Sequence, residues 1–160
     1  MGVFRLVLAA LLVLCILTVS SADNRRVDYP ENYRQWNHVK SMLIEPGHPL
    51  ENPFQGLHHI YANDKALPGF KNGSFENGSI IVFDLLQYKK EGKMIQEQNR
   101  KLVGVMQKDA KKYKLTGGWG FEGFAQNSGS KRLTQDGGKS CFSCHESQMK
   151  SDFVFSKLRK

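Results

Sequence analysis

Cys141-Phe142-Ser143-Cys144-His145, close to the C-terminal end of a 160-residue chain, is the run of residues best suited to do chemistry. Two thiols at this spacing meet the two vinyl groups on one edge of a haem, and the adjacent histidine reaches the iron through an imidazole nitrogen. The expectation is haem c, covalent and one per chain, with Cys141 and Cys144 as attachment points and His145 as the metal ligand. Three other readings account for less of the motif. A zinc site needs a further ligand pair, and the only other cysteine is Cys15. A thioredoxin-type pair follows a strand in a parallel βαβ unit, which this neighbourhood lacks. A structural disulfide leaves His145 a coincidence.

What occupies the sixth position separates carrying electrons from changing a bound molecule. Electron carriers usually close the iron with methionine. Here 15 residues follow His145, and Met149 lies four positions along the same expected helix, on the proximal side. Met42, Met94 and Met106 fall on expected strands or loops and read as core or surface. His58 and His59 share a strand and so point to opposite faces, one toward a pocket or into the core. The iron is therefore expected to be five-coordinate, with an open site. Apolar walls for it are available in Phe54, Phe83, Trp119, Phe121 and Phe124, all of which also suit ordinary core.

These side chains need a scaffold, and turn residues divide the chain into short elements. Residues 23–30 read as a loosely held polar arm, and Pro30 suits the first turn of a short helix over 31–36. Strands are expected at 39–44, 57–62, 79–87, 101–107 and 118–124, with short helical segments at 64–70 and 109–113. The charged stretch 88–99 reads as a loop, as does the Gly/Ser/Lys-rich stretch 126–139. A C-terminal helix should carry the haem motif, with Phe153 and Phe155 alternating about Val154 to tie the terminus down. Asn72-Gly73 and Asn77-Gly78 read as hairpin turns, although each also matches the glycosylation pattern. The fold class is α+β: an antiparallel sheet of about five strands, short helices and a haem-attachment helix at the C-terminus.

The first 22 residues have a different character. Arg5 precedes an unbroken apolar run over residues 6–17, and Ser20-Ser21-Ala22 supplies small residues for cleavage. That is the pattern of an export signal, residues 1–22, removed after Ala22; the run is short for a membrane anchor. Leu14 before Cys15 argues against lipoprotein processing. The remaining domain, 23–160, is expected in the periplasm, where thiol chemistry and covalent cofactor attachment are permitted. The formal net charge of +8 includes Arg5 and mixes both signs along the chain. This excludes a disordered basic tail and gives no reason to expect a nucleic-acid partner. A basic surface suits an acidic redox partner and equally a plain solvated exterior.

Several stretches together resemble the cytochrome P-460 family: Asn32-Tyr-Arg-Gln-Trp36, Leu57-His-His-Ile-Tyr61, the strand over 78–86, Gly117-Gly-Trp-Gly-Phe121, the haem motif and Asp152-Phe-Val-Phe155. The resemblance implies a five-coordinate haem on a β-sheet, usually in a homodimer. It also implies a lysine amine joined to a meso carbon of the porphyrin, and oxidation of hydroxylamine with nitric oxide as intermediate or second substrate. Electrons would pass to a redox partner cytochrome. The crosslinking lysine should fall between the first two motif strands, where Lys65 and Lys71 are candidates. Lys71, which follows Phe70, is the better placed and is the expected catalytic residue. The sister group, cytochrome c′-beta, shares the fold without the crosslink and binds nitric oxide or carbon monoxide without established turnover. A pocket carboxylate of the enzymatic members has no clear counterpart: Gln126-Asn127 stands at its place, and Glu122 is nearby with its direction unassigned.

Overall fold

The computed structural model describes residues 26–159. The expected export signal and its cleavage point lie outside the described residues. Five strands, β1 (Asn37–Ile44), β2 (Gly56–Ala62), β3 (Ile80–Glu91), β4 (Met94–Lys108) and β5 (Trp119–Ala125), form one antiparallel sheet in the order β1-β2-β3-β4-β5. Around it, among the described residues, are three short helices, α1 (Glu51–Phe54), α2 (Leu67–Asn72) and α3 (Lys139–His145), and several 3-10 turns. The α+β expectation is met. Among the described residues no helix is long and apolar enough to cross a membrane.

Alternation along the strands sorts the core into two layers. Val39, Ile60, Ala62, Ile81, Trp119 and Phe121 cluster on one face, with Phe83 and Met106 packed against them. This face also receives Cys141 and Phe142, so we term it the motif face. Val82, Val103, Val105 and Phe124 lie on the other, covered by Val27 and Tyr33 of the N-terminal segment. That is the strap face. β3 is the central strand, and its first half is covered on both sides, which is why it reads as an almost unbroken apolar run.

Three expectations are corrected here. The stretch 88–99 is not a loop: it is the outer half of a β3–β4 hairpin, paired from Tyr88↔Glu97 to Glu91↔Met94. Past Leu86, β2 no longer pairs with β3, so this ribbon stands clear of the sheet and is solvated on both sides. Solvation on both sides removes the apolar–polar alternation that marks a strand. Its turn is the two-residue Gly92-Lys93, with Gly92 at φ 59, as a type II′ turn prefers. Conversely, neither Asn-Gly pair is a hairpin turn. Asn72 ends α2, with Gly73 as its left-handed cap, and Asn77-Gly78 leads into β3 from outside the sheet.

The expected arm, finally, is not loosely held over its described residues, 26–30. Val27 is buried, its carbonyl accepts from Arg132 at 2.7 Å, and the Arg26 carbonyl accepts from Lys112 at 3.0 Å and from the Tyr113 hydroxyl at 3.3 Å.

Candidate haem site

The motif helix α3 is positioned from its N-terminal side by Asp136. Its carboxylate accepts the Gly138 and Ser140 N–H groups at 2.9 and 2.8 Å, and those bonds hold its pKa below the usual carboxylate range. Gly138 sits at φ 85, and a Cβ there would lie 2.8 Å from the Phe121 backbone, so glycine is what allows the helix to dock on β5. One helical turn separates Cys141 from Cys144 and puts both on one side of α3. Both thiols are free; Cys141 is half-buried against the motif-face core and Cys144 is exposed. Burial, reinforced by Asp136, pushes the Cys141 thiol up, so it stays protonated at neutral pH.

His145 closes the helix. Its Nδ1 donates to the Phe153 carbonyl at 2.7 Å, and its ring packs 4.9 Å from Phe121 and 5.0 Å from Phe155, centre to centre. Burial lowers its pKa, opposed in part by the Phe153 bond, and keeps the imidazole neutral. With Nδ1 occupied by a carbonyl, Nε2 is the nitrogen left to ligate a metal. Among the described residues no three His, Cys, Asp or Glu side chains converge into a metal-binding group, so a metal here would take its remaining ligands from elsewhere. A porphyrin supplies four. The donor chemistry of Cys141, Cys144 and His145 thus fits a haem.

The chain beyond His145 differs from expectation. It tightens into a 3-10 turn, Glu146–Ser151, so Met149 is not on the α-helix that carries His145; it is 67% exposed. Phe153 has φ 65 and so belongs to no alternating extended segment; Val154 is the buried anchor and Phe155 is largely exposed.

Lys71 comes from α2. It lines an open groove of about 400 Å³ between α2 and the C-terminal tail, together with Phe70, Phe75, Val154, Phe155 and Ser156. Phe155 thus joins this groove to the His145 ring. Lys65 instead lies along Gly78 at the entrance to β3. The expected walls divide: Trp119, Phe121 and Phe83 are on the motif face, with Phe54 beside Phe83 at 5.8 Å. Phe124 is on the strap face, edge-on to Tyr29 at 5.1 Å.

The paired histidines do point to opposite faces. His59 bonds Ser41 at 2.6 Å and Glu97 at 3.2 Å on the strap face. His58 is 1% exposed beneath Phe83, and its Nδ1 has no partner. Glu122 also turns to the strap face, where it accepts from Arg132 at 2.9 Å and from the Thr134 backbone and hydroxyl. Burial raises its pKa, but these bonds together outweigh that and lower it, so the carboxylate is ionised and spoken for. Phe153 and its carbonyl, the most direct neighbour of His145, were not identifiable from the sequence; a backbone acceptor leaves no residue-type signal.

A family model described as Cytochrome P460 matches residues 30–156, and the chain belongs to that family. It is accordingly a c-type haem protein. A comparison with curated proteins found no match.

Proposed function

We propose that this chain is an exported haem oxidoreductase that acts on hydroxylamine or nitric oxide at an open distal site. Residues 1–22 direct it to the periplasm, and electrons leave to an external acceptor such as a redox partner cytochrome. One haem c per chain would be held through thioethers to Cys141 and Cys144, with His145 as the ligand the protein gives the iron, in a homodimer. When bound, the haem supplies a redox-active iron able to accept electrons from a small nitrogenous ligand. The protein's own part is to fix the imidazole through the Phe153 carbonyl and to pack its ring against Phe121 and Phe155. Lys71 is the residue assigned to the porphyrin crosslink. The observation that carries this reading is that Lys71 lines the same groove as Phe155, whose ring packs on His145.

Intact mass and visible spectrum of the matured protein, with and without Lys71→Ala, test the reading. A crosslink alters the hydrogen count of the haem adduct and moves the Soret band to the red, and Lys71→Ala abolishes both. An unmodified c-type spectrum that Lys71→Ala leaves unchanged sinks the crosslinked form. The second reading, a cytochrome c′-beta-like protein that binds nitric oxide or carbon monoxide without turnover, then stands. It is favoured by one observation: among the described residues no carboxylate lines the groove, and Glu122 is engaged on the opposite face. Failure of the ferrous protein to bind carbon monoxide defeats both readings together.

A further inference from the structure

The carbonyl that orients His145 belongs to a segment that is itself under constraint. Asp152 and Phe153 both have left-handed backbone, φ 51 and 65, a conformation that side-chain-bearing residues keep only when their surroundings impose it. Two successive left-handed residues turn the chain back, so that Phe153, eight positions after His145, presents its carbonyl to Nδ1.

The turn is closed by the Asp152 and Phe153 N–H groups, which donate to the Met149 and Gln148 carbonyls at 3.1 and 2.8 Å, and Asp152 then ties it through each of its oxygens to the sheet and to the segment before β3. Oδ1 accepts from Lys108 Nζ at 2.6 Å, Oδ2 from the Phe75 N–H at 2.8 Å, and the main-chain carbonyl from Trp119 Nε1 at 2.8 Å. Lys108 is itself fixed. It ends β4, its N–H donates to the Ser79 carbonyl and its carbonyl accepts from Gly78 N–H, and its ammonium donates to the Gly117 carbonyl at 3.2 Å and lies 5.0 Å over the Trp119 ring. The Phe153 ring covers Gly117, where a Cβ would come within 2.3 Å of it. The two charged side chains are only 10% and 13% exposed, so their attraction is little screened by water.

We infer that Lys108 and Asp152 are positioning residues for the axial histidine: they hold the Phe153 carbonyl in line with His145 Nδ1–H and so set the donor strength of the imidazole toward the haem iron. This rests on the haem reading of His145. A firmly held acceptor on Nδ1 makes the imidazole a stronger donor, which favours ferric iron; slackening the acceptor favours ferrous.

The test uses the matured haem-loaded protein. In Lys108→Met combined with Asp152→Asn, which removes both charges and strands neither, the iron–histidine stretching vibration of the ferrous form should fall in frequency. The midpoint potential should become more positive, by on the order of tenfold in the ferrous-to-ferric ratio at a fixed potential, about 59 mV for a one-electron couple. Lys108→Arg should restore most of both. If the double variant does not accumulate, Asp152→Asn alone, at home at φ 51, should show the same changes at smaller amplitude. A folded, haem-loaded variant in which both readouts match the parent overturns the inference and leaves the pair a structural clamp. Absence of any iron–histidine vibration in the unaltered protein overturns the haem reading itself, before any variant is made.

Discussion

Both faces of the sheet bury charged pairs matched within the chain, Lys108–Asp152 on the motif face included, but they differ in what closes them. On the strap face, ionised groups are buried and matched within the chain. Asp84, fully buried, accepts from Arg34 at 3.1 Å and from Arg100 at 2.7 Å, while Arg100 also reaches Asn127. Glu122, Arg132 and Thr134 form a second such group. On the motif face the elements that carry the chemistry, α3 and the 3-10 turn after it, contain no fully buried residue. One side of the protein is therefore closed by its own side chains. The other offers apolar rings and a neutral imidazole to a body the chain does not encode. The difference teaches that the sheet's stability and the site's order have separate sources.

The sharpest way to break this comparison is to remove the cofactor's attachment. Cys141→Ala combined with Cys144→Ala should abolish covalent haem, seen as a complete loss of the haem mass. Hydrogen exchange should then show lost protection over residues 136–159 with the five strands and the 131–134 segment unaffected; an equal loss throughout would mean the two faces are not independent. Next in size is Asp84→Ala, which leaves Arg100 buried without its carboxylate. Chemical denaturation should show a loss of about 3–5 kcal/mol, with the visible spectrum unchanged.

A pH test sharpens the contrast on the motif face. Burial, helped by His59, pushes His58 from 6.5 down to about 4. The unfolded chain thus takes up this proton first, so the stability owed to neutral His58 is complete above about pH 6.5 and is lost as pH falls toward 4. The loss should approach about 3 kcal/mol over that interval, and His58→Leu should flatten it in a pH series of denaturation curves. The smallest effect belongs to the exposed ribbon. Lys89→Ala, which breaks the Lys89–Glu91 pair, should change stability by less than about 1 kcal/mol.

How much of this was legible in the sequence follows from which interactions are local. The haem motif was, because its chemistry lies within five consecutive residues. The strands over 39–44, 57–62 and 118–124 were, because each is half-buried or central and bounded by turn residues. The 88–99 ribbon was not, since Lys89, Lys90, Glu91 and Lys93 look like loop residues when no core lies beneath them. Gly92 was the available signal. The direction of Glu122 needed the β5 register and the 131–133 segment that pairs with it, where Leu133 N–H meets the Gly123 carbonyl. The left-handed turn at Asp152 and Phe153 was illegible for a different reason: neither residue type favours it as glycine does, and Lys108, 44 residues earlier, is what ties it to the sheet.

The strand order carries a consequence for assembly. Every ladder joins strands adjacent in sequence, so no pairing must wait for a distant segment to arrive, and the loop-closure entropy for the sheet is met in short steps. All five strands are complete by Ala125, sixteen residues before Cys141. A nascent chain can therefore finish its sheet while the attachment motif is still an unpaired tail. In that order the Asp152–Lys108 contact would join the last segment to a sheet already formed, as a latch.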